Sequence, residues 1–105
     1  MPPVAATAAR GNLTGMKTLV ICRPRTGVTV TDIAGHRAGE MAALRQLKAE
    51  GTLTEAYSPG GPGAVLIFDA GKEAVEGVVS ALPLVLAKLI DTEIMELQPL
   101  AGLAL

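Results

Sequence analysis

Three ionisable side chains of different character fall within five residues of one another: His36, Arg37 and Glu40. Such a set can do proton chemistry. A carboxylate can take a proton from a carbon acid, a guanidinium can hold an anionic group, and an imidazole can serve either role near neutral pH. On a helix His36 and Glu40 form an i, i+4 pair, within hydrogen-bonding reach. At about 100° per residue, Ile33, Met41, Leu44 and Leu47 gather into one apolar stripe. Glu40 falls inside that stripe with Arg37 and His36 on its flanks, while Gly35, Gly39, Ala42, Gln46 and Ala49 lie opposite, toward solvent. A carboxylate on a core-facing stripe is costly to bury as an ion unless it is paired or lines a cavity. Either setting perturbs its pKa, as a general base requires. The alternative is a structural pair of Glu40 with Arg37 or His36, stems packed and tips in water.

Other polar residues carry weaker signals. Tyr57 alternates with Leu53 and Glu55, which would aim its hydroxyl into the same cavity; plain packing explains it equally well. Arg23 ends an apolar run and could hold a substrate carboxylate, or stand as an exposed loop cation. Cys22 reads as a small core residue. Lys72, Glu73 and Glu76 read as a solvated helix face. The Gly/Pro segment Pro59–Gly63 could cradle a phosphate only before a helix N-terminus, and a strand follows it. It is read as a hairpin loop.

The elements that would position these groups follow from pattern. Lys17–Arg23 is a β-branched, apolar run stopped by Pro24, and both its faces read as buried. Thr31 or Asp32 caps a helix expected to run to about Glu50, with Gly51 as its stop. Gly51–Ser58 is a second strand and Ala64–Phe68 a third. Asp69 to about Ala81 is a second helix, with Ala74, Val75, Val78, Val79 and Leu82 at helical spacing and Pro83 ending it. Lys88–Leu97 is a fourth strand. The order βαββαβ, with right-handed crossovers, predicts an α+β ferredoxin-like fold: four antiparallel strands with both helices on one face. Residues 16–105 would form this single domain, and residues 1–15, rich in Ala, Pro, Thr and Gly, a tail or arm outside it.

Composition supports that reading and narrows the function. The chain has 105 residues, half of them apolar, yet Tyr57 and Phe68 are its only aromatics. Two helices cover one face of the sheet, and the other face is apolar too. With a mean hydropathy of +0.43, this predicts a homodimer, or a larger homo-oligomer, joined through the open sheet face, the arrangement of a dimeric α/β barrel. A net charge of −1 offers no footprint for phosphate backbones, and scarce aromatics no platform for bases, so nucleic acid is not expected as a partner. One cysteine and one histidine fall short of the four ligands of a usual zinc site. Neither a membrane span nor a signal peptide is legible, and a cytoplasmic protein acting on a small molecule is the expectation.

Along Glu40–Leu97 the chain resembles the muconolactone Δ-isomerase family. The pieces that carry the likeness are Leu47-Lys-Ala-Glu-Gly-Thr-Leu53, Val65-Leu-Ile-Phe-Asp69, Ala81-Leu-Pro-Leu84 and Asp91-Thr-Glu93, in matching order and spacing. The resemblance implies a cofactor-free isomerase of aromatic catabolism that shifts a proton along a conjugated lactone. Glu40 would match an acidic position of the family and act as base; His36 or Arg37 would hold the substrate carboxylate or stabilise the dienolate. The chain differs in having few aromatics and a Gly/Pro hairpin, so another small lactone-like or apolar substrate fits as well. Two further readings share the architecture: a cofactor-free monooxygenase or cyclase, and a non-catalytic binding or assembly module in which the Glu40 cluster is a structural ion pair.

Overall fold

In the computed structural model, which describes residues 16–103, β1 (Lys17–Pro24) pairs antiparallel with two neighbours. The arm expected over residues 1–15 lies outside the described residues. Chain order continues with α1 (Val30–Ala34), α2 (Arg37–Ala49), β2 (Leu53–Tyr57), β3 (Ala64–Phe68), α3 (Lys72–Ser80), α4 (Pro83–Leu86) and β4 (Ile90–Leu97). The four strands form one antiparallel sheet in the order β2-β3-β1-β4. This is the expected ferredoxin-like α+β fold.

Strand alternation sorts the sheet into two faces. Thr18, Val20 and Cys22 of β1, Leu66 and Phe68 of β3, and Leu53 and Ile90 at the ends of β2 and β4 are buried on the helical side. Val75, Val79 and Leu82 complete that core from the helices. Leu19 and Ile21 of β1, Val65 and Ile67 of β3, and Met95 and Leu97 of β4 are only half-buried, on the opposite face. No described helix crosses that second face.

Three local expectations need correction. The first helix is two helices. Thr29, not Thr31 or Asp32, caps α1: its hydroxyl accepts from the Asp32 N–H, and the Asp32 carboxylate accepts from the Thr29 N–H. The segment then breaks at Gly35 and His36, and α2 starts afresh at Arg37. Glycine lacks helix propensity, so it allows the break. Second, α3 ends at Ser80, and Pro83 starts the short α4 instead of merely ending a helix. Proline suits a first helical position, where its missing N–H costs no hydrogen bond. Third, β2 has an irregularity between Leu53 and Glu55: Leu53 stands opposite Phe68 and Glu55 opposite Ile67, so the strand gains a residue on its neighbour. Such a bulge turns every later side chain to the other face.

Candidate active site

Glu40 is 8% exposed and the only buried residue of α2. It heads the stripe Glu40, Ala43, Leu44, Leu47, which packs on the sheet. Its Oε1 accepts the Leu84 N–H at 2.9 Å, across 44 residues of sequence, and so closes the first turn of α4. Helix N-terminal N–H groups have no partner within their own helix, which explains the fit of a carboxylate there. Among the described residues no other hydrogen bond or ion pair reaches the Glu40 carboxylate. Burial pushes its pKa above the usual carboxylate value; the Leu84 N–H and the nearby His36 pull it partly back.

Beside Glu40 opens a cavity of about 590 Å³, on the helical side of the sheet. Ile33 and Met41 of the helices, Leu66 of β3 and Leu84 of α4 form much of its apolar wall, and the hairpin residues Gly61–Gly63 form one border. Arg37 stands one turn before Glu40 and also lines it. Arg37 is exposed and, among the described residues, makes no ion pair or side-chain hydrogen bond. A partly desolvated carboxylate and an uncommitted guanidinium therefore share one apolar pocket. That combination can bind an anionic molecule and take a proton from it.

The other predicted residues are distributed differently. His36 is the exposed N-cap of α2, its side chain makes no capping bond, and it acts on Glu40 through charge from outside the cavity wall. Tyr57 borders the cavity, but its hydroxyl donates to the Glu55 carboxylate at 2.5 Å. The bulge explains why: Tyr57 and Glu55 stand opposite Val65 and Ile67, on the open face. Arg23 does not line the cavity: it follows Cys22 on the open-face side of β1 and pairs with Glu93 at 3.2 Å, beside a second pair, Arg25–Asp91 at 2.9 Å.

Cys22, read as core, is buried but also lines the cavity. Its thiol is pushed up to about 11 by burial and, secondarily, by the Glu40 charge, so at neutral pH it is a neutral wall group and not a nucleophile. Residues Gly61–Gly63 of the hairpin, expected to be a plain loop, also line the cavity. Gly63 was the available signal: its φ of +114° and its approach to Cys22 admit no side chain.

Among the described residues no group of three His, Cys, Asp or Glu side chains converges to hold a metal, and no helix is long and apolar enough to cross a membrane.

A four-stranded antiparallel sheet with its helices on one face, in the order β2-β3-β1-β4, is the ferredoxin-like fold. Two enzymes of that fold superpose on this chain. One is 5-chloro-2-hydroxyhydroquinone dehydrochlorinase (TftG) from Burkholderia phenoliruptrix, solved with 2,5-dihydroxybenzoquinone. It is 21% identical at a TM-score of 0.64, over 78% of this chain and 93% of that one. The other is muconolactone isomerase, 20% identical at a TM-score of 0.63, over 82% and 92% of the two chains. The resemblance read from the sequence thus holds in three dimensions, as a likeness of fold. The sequence matches no protein-family model and no curated protein.

Proposed function

We propose that the protein is a cofactor-free isomerase, similar to muconolactone isomerase, that moves a proton along a small lactone or related apolar metabolite. The observation that supports this most is the buried Glu40 carboxylate, with its raised pKa, on the wall of an apolar cavity that Arg37 also enters. In this reading Glu40 removes a proton from the carbon next to a carbonyl, and the electron pair moves into the conjugated system as a dienolate. The protonated Glu40 then returns the proton to a carbon further along. Nothing is gained or lost overall, so no redox partner is required. Arg37 holds the substrate's anionic group, and His36 tunes Glu40 from one turn away. Both solved neighbours are enzymes named for reactions on small cyclic compounds, which is consistent with the reading.

A second reading has its own support. The hydrogen bond from Leu84 N–H to Glu40 is also what a purely structural carboxylate would make, as in a non-catalytic binding module. Glu40→Gln separates the two, because glutamine keeps an acceptor for Leu84 but cannot act as a base. Lactone isomerisation, followed by the ultraviolet absorbance of the conjugated product, is expected to fall about 10²-fold or more with folding unchanged. Unchanged turnover would leave the structural role alone standing.

We further propose that the protein works as a homodimer joined through the open face of the sheet.

A further inference from the structure

The dimensions and walls of the cavity bear on substrate class, on the reading that Glu40 is the base. A volume of about 590 Å³ has room for on the order of twenty water-sized groups, and cavities of this size usually hold ligands well above metabolite-fragment size. A lactone acid of about ten heavy atoms would occupy about half of it. The reason for the spare volume is visible in the wall: Ala34, Ala56 and Ala64 each contribute only a methyl group. Met41, a flexible and adaptable side chain, faces the same space. Of the chain's two aromatics, Phe68 is sealed in the core, and Tyr57 at the cavity border leaves a single ring to meet a flat ligand. The polar groups, by contrast, are close together. Arg37 and Glu40 are an i, i+3 pair whose Cβ atoms lie about 5–6 Å apart. An anionic group held by one and a carbon acid facing the other must therefore be near neighbours in the same molecule.

We propose that the substrate is an amphiphilic oxo or lactone acid, its carboxylate held by Arg37 and its acidic carbon at Glu40, with an aliphatic chain of about six to ten carbons filling the alanine-lined cavity. The head group undergoes the proton transfer and the chain supplies the affinity.

Calorimetric titration of the full-length protein with straight-chain saturated acids of four to twelve carbons, and with the matching primary amides, tests this. The dissociation constant is expected to fall about threefold to fourfold with each added methylene and then level off near ten carbons. The acids should bind at least about tenfold tighter than the amides, and Arg37→Gln should erase that preference. Ala34→Phe, at an exposed position of α1, should move the levelling point to a shorter chain. A flat dependence on chain length, equal binding of acid and amide, or an unshifted profile in Ala34→Phe would each overturn the proposal. The readouts are independent of catalysis. Chain-length-dependent binding with undiminished turnover in Glu40→Gln overturns the isomerase reading alone, whereas lost turnover with flat binding overturns the chain alone.

Discussion

Glu40 is buried on the apolar stripe where helical spacing puts it, and its energetics can be tested apart from any reaction. Its place among apolar residues was legible because helical periodicity needs only local spacing, and Met41, Leu44 and Leu47 supply the phase. Its partner was not, because Leu84 is brought to it only by the fold. Since burial raises its pKa, the folded protein favours the neutral form. The group's contribution to stability is then complete below the unfolded value near 4.5 and is lost as the pH rises through the higher folded value. Glu40→Gln imitates the neutral form and keeps the acceptor. It should melt at a higher temperature than the parent at pH 8, and the gap should close as the pH falls toward 4.5. Glu40→Ala removes the acceptor and should cost about 1–3 kcal/mol, read from urea midpoints. A Gln variant that is less stable than the parent at pH 8 would contradict the assigned cost of the buried charge.

The elements show where periodicity stops being a sufficient guide. Strand and helix interiors were readable, and β3 was placed correctly to the residue, because its apolar run is bounded by Gly63 and Asp69. The misses all fall at irregular points: Gly35 interrupts a helix, Pro83 begins one, and the bulge after Leu53 turns Tyr57 away from the face its alternation suggested. Each depends on tertiary context that overrides a locally continuous pattern. The hairpin is the most consequential of these elements, since it carries one border of the cavity. At Gly63 a Cβ would sit 2.5 Å from the Cys22 carbonyl oxygen, and the backbone there has a φ of +114°. Gly63→Ala should therefore cost at least about 2 kcal/mol in urea unfolding. Gly61→Ala, with open space around it and no positive φ, should change stability by no more than about 0.5 kcal/mol. Equal effects at the two positions would mean that the hairpin is not held against β1 as described.

At the scale of the whole molecule, the surplus of apolar residues has a definite location. Leu19, Ile21, Val65, Ile67, Met95 and Leu97 stay half-buried on the face that no described helix covers, and none belongs to the packed core. The Arg23–Glu93 and Arg25–Asp91 pairs lie toward one end of β1 and β4, and Glu55 puts a further carboxylate on this face from the outer strand β2, opposite Ile67. A contiguous apolar sheet face with ion pairs at its margin is the surface expected to meet another of its kind. A second copy of the chain satisfies it with no further component. Sedimentation should then give a mass twice 10.7 kDa at micromolar concentration. Ile67 sits opposite Leu19 where β3 meets β1, near the middle of the face. Ile67→Lys should yield a monomer with an unchanged circular dichroism spectrum, because the residue takes no part in the helix-side core. If the parent chain sediments as a monomer, or if Ile67→Lys leaves the dimer intact, the sheet face is not the interface. The cavity lies on the opposite side of the sheet, so a folded Ile67→Lys monomer should retain ligand binding there within about twofold.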